Sequence, residues 1–219
     1  MEELKENILK TLAYADIFDF PLTLFEIHQY LIGARDFSPD EIKRDLKDLV
    51  VANLLGNEGD LFFLPRREGL TKIKKLREEV SRSNLKNVWW ALRIIGLLPW
   101  VKMVALTGAA AVNNNPEEGD IDLMVVTSQG RLWLTRFLVF LFLEIVGLKR
   151  KDGSRNPAGK FCINVWCDEG RLKVLPEDQD LVVAHEVAQA KPLINKEGVY
   201  EKFVSENLWL KNYLPNWKA

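Results

Sequence analysis

Apolar positions follow a helical period through the first hundred residues and gather into short runs after that. Leu4, Ile8, Leu12 and Tyr14 predict a first helix over 4–15. Asp19-Phe20-Pro21-Leu22 breaks it. Thr23 with Glu26 three residues on has the capping-box pattern and opens a second helix over 24–31. Ser38, Pro39 and Glu41 open a third, with Ile42, Leu46, Leu49 and Val50 as its apolar stripe and Asn53 at its end. Leu54-Leu55 and Leu61-Phe62-Phe63-Leu64 flank turn residues at 56–60, which predicts a β-hairpin. Residues 66–85 then read as a long basic helix. A further helix over 87–97 is buried through Trp89, Trp90, Leu92, Ile94 and Ile95, and ends at Pro99.

Beyond Trp100 the pattern changes. Strands are predicted at 102–107 and 120–127, a helix at 131–147, and strands at 160–167 and 171–175 joined by a turn at Asp168-Glu169-Gly170. Helices at 178–190 and 198–213 close the chain. The fold class is α+β, with a mixed sheet packed by helices. Three organisational blocks follow: a winged-helix-like domain at 1–65, a helical bridge at 66–100, and a sheet domain at 101–219. Three helices and a hairpin make the winged-helix pattern, whose third helix reads DNA in many regulators. Here that helix carries Lys43, Arg44 and Lys47 against Asp40, Glu41, Asp45 and Asp48. Phosphate contacts dominate DNA affinity, so DNA binding by this helix is not favoured over packing or protein contact.

Composition adds modest constraints. The apolar share of 47% supports a core, and a net charge of −1 gives no global attraction to polyanions. Locally, residues 66–86 hold 8 basic and 3 acidic side chains, and 149–160 hold 5 basic and 1 acidic. These stretches flank 101–127 and read either as the borders of an anion site or as solvated surface. Cys162 and Cys167 fall at opposite parity in one predicted strand, which suits neither a disulfide nor a metal spacing and fits a reduced, cytoplasmic protein. Leu132–Leu148 is apolar enough to suggest a membrane span. Arg136 and Glu144 within it, and its length, favour a helix packed on a sheet, so no membrane partner is expected.

The strongest chemical signal is VKMVALTGAAAVNNNPEEGDIDLMVVT, residues 101–127. A strand runs into the small-residue turn Thr107-Gly108-Ala109-Ala110, and a second strand opens on Asp120 and Asp122. Alternation puts both aspartates on one side and Ile121, Leu123 and Val125 on the other. Two adjacent carboxylates repel unless a cation or proton lies between them. Hard oxygen donors on a strand suit Mg²⁺, completed by water and phosphate oxygens. A glycine turn beside them lets a triphosphate approach the backbone. His28 and His185 lack partners at ligand spacing and read as core or surface residues.

This segment resembles the DNA polymerase β-like nucleotidyltransferase superfamily, whose signature is a strand, Gly-Ser, a loop and Asp-x-Asp on the next strand. Three further stretches resemble a bacterial and archaeal group within it that joins a winged-helix-like start to the transferase domain. They are Ala15–Thr23, Gly130–Arg136 and Glu186–Leu193. The resemblance implies transfer of a nucleoside monophosphate from a Mg²⁺-bound nucleoside triphosphate to an acceptor hydroxyl, on a small molecule, protein or nucleic acid. Asp120 and Asp122 would be catalytic and hold the metal, while Thr107, Gly108 and Ala109 would border the phosphates. Arg131 and Arg136, in the helix after the metal strand, are candidates for the triphosphate, and Lys102 and Lys160 are weaker ones. The chain departs from the family twice. Ala109 stands where the family has serine, and Asn164 where it has a third carboxylate. Asn164 can ligate Mg²⁺ through its carbonyl but cannot act as a base. A catalytically degenerate nucleotide-binding or interaction module, and a DNA-binding regulator, are the alternatives.

Overall fold

The computed structural model describes residues 2–151 and 157–219. In chain order the elements are α1 (Glu2–Asp16), β1 (Leu22–Thr23), α2 (Leu24–Gln29), α3 (Pro39–Val51), β2 (Gly56–Glu58), β3 (Leu61–Phe63) and α4 (Leu70–Leu97). They continue with β4 (Val101–Leu106), α5 (Gly108–Ala111), β5 (Ile121–Thr127), α6 (Leu132–Ile145) and β6 (Phe161–Asp168). Last come α7 (Leu181–Gln189), β7 (Lys191–Asn195) and α8 (Val199–Glu206). None of the helices among the described residues is long and apolar enough to cross a membrane.

The chain divides into two compact units. The first comprises residues 1–76, 179–188 and 209–219. Both predicted capping boxes close: Thr23 Oγ1 accepts from the Glu26 N–H at 3.1 Å, and Ser38 Oγ accepts from that of Glu41 at 3.3 Å. Leu4, Ile8 and Leu12 of α1, Ile27 of α2, and Ile42, Leu46 and Leu49 of α3 are buried, so each helix turns its apolar stripe inward. The hairpin turns tightly at Gly59-Asp60, and a third strand, β1, pairs with β3 to give the order β1-β3-β2. The late segments are woven in by polar contacts. Asn216 bonds both backbone groups of Phe37, at 3.0 and 2.7 Å, and the Trp217 indole N–H donates to the Ala188 carbonyl at 3.0 Å.

The second unit comprises residues 77–178 and 189–208. Its mixed four-stranded sheet has the order β6-β5-β4-β7. β4 pairs antiparallel with β5 and β7, and β5 pairs parallel with β6. Val104 and Leu106 of β4 and Ile121, Leu123 and Val125 of β5 join Val88, Leu92 and Ile95 of α4 and Val139 and Leu143 of α6 in one core. Helices therefore cover one face of the sheet. By alternation, Asp122 and Met124 belong to the other.

Three expectations change. The helices expected at 66–85 and 87–97 are one 28-residue helix, because Ser83, Asn84 and Asn87 lower helix propensity without breaking the hydrogen-bond ladder. Residues 171–175 form no strand. The fourth strand is instead β7, where Pro192 hides the signal; proline is tolerated there because β7 is an edge strand. The helix expected over 198–213 ends at Glu206 and gives way to a 3₁₀ turn at Leu208–Asn212. Part of the basic stretch at 149–160, residues 152–156, lies outside the described residues.

Candidate functional site

β4 ends at Leu106 and the chain turns sharply at Gly108, whose φ of +58° lies in the left-handed region open to glycine. A Cβ there would stand 2.7 Å from Asp122 Oδ2. Glycine thus lets the turn close directly over the carboxylate. The Thr107 N–H donates to the Asp122 carbonyl at 3.1 Å, which fixes the turn to β5. Ala109 lies in the single helical turn α5 that follows. The loop to β5 is held from α4: Ser81 Oγ accepts from the Asn115 N–H at 3.1 Å, and Arg77 donates to Asn114 Oδ1 at 3.2 Å. Asn115 in turn donates through Nδ2 to the Asp120 carbonyl at 2.8 Å. Asp120 therefore sits one residue before β5, held by the Asn115 side chain and by the Ile121 N–H, which donates to the Lys160 carbonyl at 2.8 Å.

β6 supplies the other wall. Cys162 lies in register with Asp122, and Ile163 with Leu123, but Val165 pairs with Met124. Asn164 is the extra residue of a β-bulge. From the bulge it donates to Asp122 Oδ1 at 3.2 Å, and its Oδ1 lies 3.4 Å from Thr107 Oγ1. Asn164 thus braces the carboxylate with an N–H. The bulge also shifts parity downstream, so Asp168 falls opposite Thr127 and its Oδ1 accepts from the Gly170 N–H at 3.0 Å in the turn.

Asp120, Asp122 and Cys162, all half-buried, each present a ligand atom within 4.8 Å of the others. A divalent cation fits this donor set: two carboxylates supply charge, and a thiolate adds a soft ligand. Arg150 closes the group. Its guanidinium donates to Asp120 Oδ2 at 2.6 Å and to Cys162 Sγ at 3.4 Å. The Cys162 hydrogen bond and the Asp120 charge both hold the guanidinium above its usual range. Burial pushes the Cys162 thiol up, the Arg150 hydrogen bond pulls it down, and the two aspartates push it up again. Cys167, more deeply buried, is pushed up to about 12.

Thr107, Gly108, Ala109, Asp120, Asp122 and Asn164 are thus drawn from one turn, the start of β5 and the bulge in β6. Arg131 and Arg136 are not with them. Asp120 and Asp122 open β5, whereas Arg131 follows its far end, about 16 Å away by strand rise. Arg131 lies 5.9 Å from the Trp100 ring, and Arg136 lies over Trp133 and Phe140 at 5.7 and 5.3 Å. Lys102 pairs with Glu197 at 2.5 Å. Cys162 and Arg150 are the functional candidates that the sequence pattern does not single out. Cys162 sits two residues before Asn164 on the same strand, and Arg150 belongs to the basic run after α6.

No known protein-family model matches the chain, and comparison with curated proteins finds no significant match.

Proposed function

We propose that this protein is a metal-dependent nucleotidyltransferase of the DNA polymerase β-like type, carrying a winged-helix-like first unit. The observation that supports this best is the closure of the Gly108 turn over Asp122, with Asp120 beside it and no side chain between backbone and carboxylate. In this reading Asp120 and Asp122 hold Mg²⁺, with Cys162 at hand as a third donor, and the backbone at Gly108 and Ala109 faces the phosphates. The metal supplies charge neutralisation at the phosphates and the leaving group. An acceptor oxygen attacks the α-phosphorus, the bond to the bridging oxygen of the β-phosphate breaks, pyrophosphate leaves, and the acceptor proton passes to solvent. The protein's share is positioning and electrostatic stabilisation. Incubation with γ-labelled nucleoside triphosphates and Mg²⁺ or Mn²⁺ tests it: release of labelled pyrophosphate that Asp122→Asn lowers at least about a hundredfold supports the reading. Release unaffected by that change sinks it.

Two specific features favour a second reading, a nucleotide-binding module without transfer. Arg150 is seated on Asp120, and the third strand offers Asn164 and Cys162 in place of an acid. Tight triphosphate binding with no pyrophosphate release, by the wild-type chain or by Arg150→Ala, would select it. A DNA-binding role for the first unit is less favoured. In α3, Arg44 is paired with the buried Asp45 at 3.1 Å, and Asp48 binds Lys5 at 2.9 Å. A salt-dependent shift of random duplex DNA by the full chain would restore that role.

A further inference from the structure

One side of α6 packs on the sheet through Thr135, Val139 and Leu143. On the other side Trp133, Phe137, Leu141 and Ile145, spaced four residues apart, are 75%, 63%, 48% and 75% exposed. Leu134 flanks this stripe. Trp90 of α4, also exposed, extends it through an edge-to-face contact with Phe142 at 6.1 Å. With large side chains burying on the order of 150–250 Å² each, these six leave roughly 700 Å² of apolar surface in water. The largest patch on a typical monomer is about 300–600 Å². A standard interface buries about 800 Å² per partner. The exposed area is therefore what one side of a stable dimer needs.

We propose that this face docks on the same face of a second copy of the chain, with the two α6 helices antiparallel. A two-fold interface presents one patch to itself, so the patch must be self-complementary. The order of the stripe meets that condition. Aromatic rings occupy its first half and aliphatic side chains its second. An antiparallel pair centred near Val139 sets Trp133 against Ile145 of the second copy, and Phe137 against Leu141. Ring meets branched chain at every level, and no two indoles compete for one space. The carboxylate pair lies on the opposite face of the sheet, so the contact leaves the candidate metal centre open.

Sedimentation velocity of the full chain at micromolar concentration tests this. The expected mass is twice the 25.2 kDa of one chain, falling to 25.2 kDa in Phe137→Glu with an unchanged far-ultraviolet circular dichroism spectrum. Ile145→Glu, at a more exposed position, gives the same loss and covers the case in which the first variant folds poorly. A wild-type chain that stays at 25.2 kDa overturns the proposal, as does a dimer that survives both substitutions. A monomer that instead co-sediments with phosphatidylglycerol vesicles, and loses them on Phe137→Glu, assigns the face to a membrane surface and also overturns it.

Discussion

Gly108 and Asp122 are fitted to each other: the glycine has the left-handed conformation, and the carboxylate fills the space its missing Cβ would take, 2.7 Å away. Gly108→Ala therefore meets two costs, strain at positive φ and displacement of Asp122. We expect a loss of about 1–2 kcal/mol of stability. For a chain of this size that is a fall in Tm of about 2–8 °C. Mn²⁺ binding, read by calorimetry, should weaken at least tenfold, because the ligand moves and not merely the fold. A variant with wild-type Tm and wild-type Mn²⁺ affinity would show that the close approach has no consequence.

Arg150 competes with any metal for Asp120 and Cys162. The pair is partly exposed, so its contribution is small and screened by salt. Replacing Arg150 by alanine is expected to raise divalent-cation affinity about two- to fivefold at low ionic strength. The gain should shrink in concentrated salt. An unchanged or weakened affinity would place Arg150 outside the metal's reach, or among the groups that help bind it.

Cys162 gives the centre a soft ligand. Cd²⁺ should bind with a thiolate charge-transfer band, and Cys162→Ser should abolish the band and weaken Cd²⁺ at least tenfold while leaving Mg²⁺ nearly unchanged. The thiol is held above its ordinary range mainly by burial, so Cd²⁺ binding near neutral pH must also release a proton. Calorimetry in buffers of different ionisation enthalpy detects that proton. A band that persists in the serine variant would point to Cys167.

His185 predicts an acid sensitivity in the first unit. The ring is buried, stacked on Tyr14 at 4.2 Å, and neither nitrogen has a hydrogen-bond partner among the described residues. Burial lowers its pKa to about 4, so the fold keeps it neutral. The unfolded chain takes up this proton near pH 6.5 and the folded chain only near pH 4. Stability is therefore undiminished above pH 6.5, falls as pH drops below it, and levels off near 4, for a total of roughly 3 kcal/mol. His185→Phe keeps the stacking and removes the titration. Urea midpoints at pH 7 and 4.5 should differ in the wild type by clearly more than in the variant.

Where the sequence is legible, local chemistry decides. The capping boxes at Thr23 and Ser38 need three or four residues each, and both form as spaced. The carboxylate pair and the glycine turn are likewise local, and they meet because β4 and β5 are neighbours joined by one loop. What escapes the pattern depends on register or on distant chain. A bulge at Asn164 has no sequence signature of its own, yet it decides that Asp168 falls opposite Thr127 and turns away. β7 looks like a break because of Pro192, and only its place at the sheet edge makes proline acceptable. Arg131 and Arg136 follow the motif in sequence, but a strand must be crossed first, and that carries them to the other end of the sheet.

The discontinuous make-up of the first unit has a consequence for the order of events on the ribosome. Phe37 waits for Asn216, and Tyr14 for His185, so contacts between residues about 170–180 apart complete a unit that opens with α1. Ring closures of that length are slow. The first unit is therefore completed only late in synthesis, and a chain stalled before Asn216 leaves the backbone N–H and carbonyl of Phe37 without this partner, a local opening for chaperones and proteases.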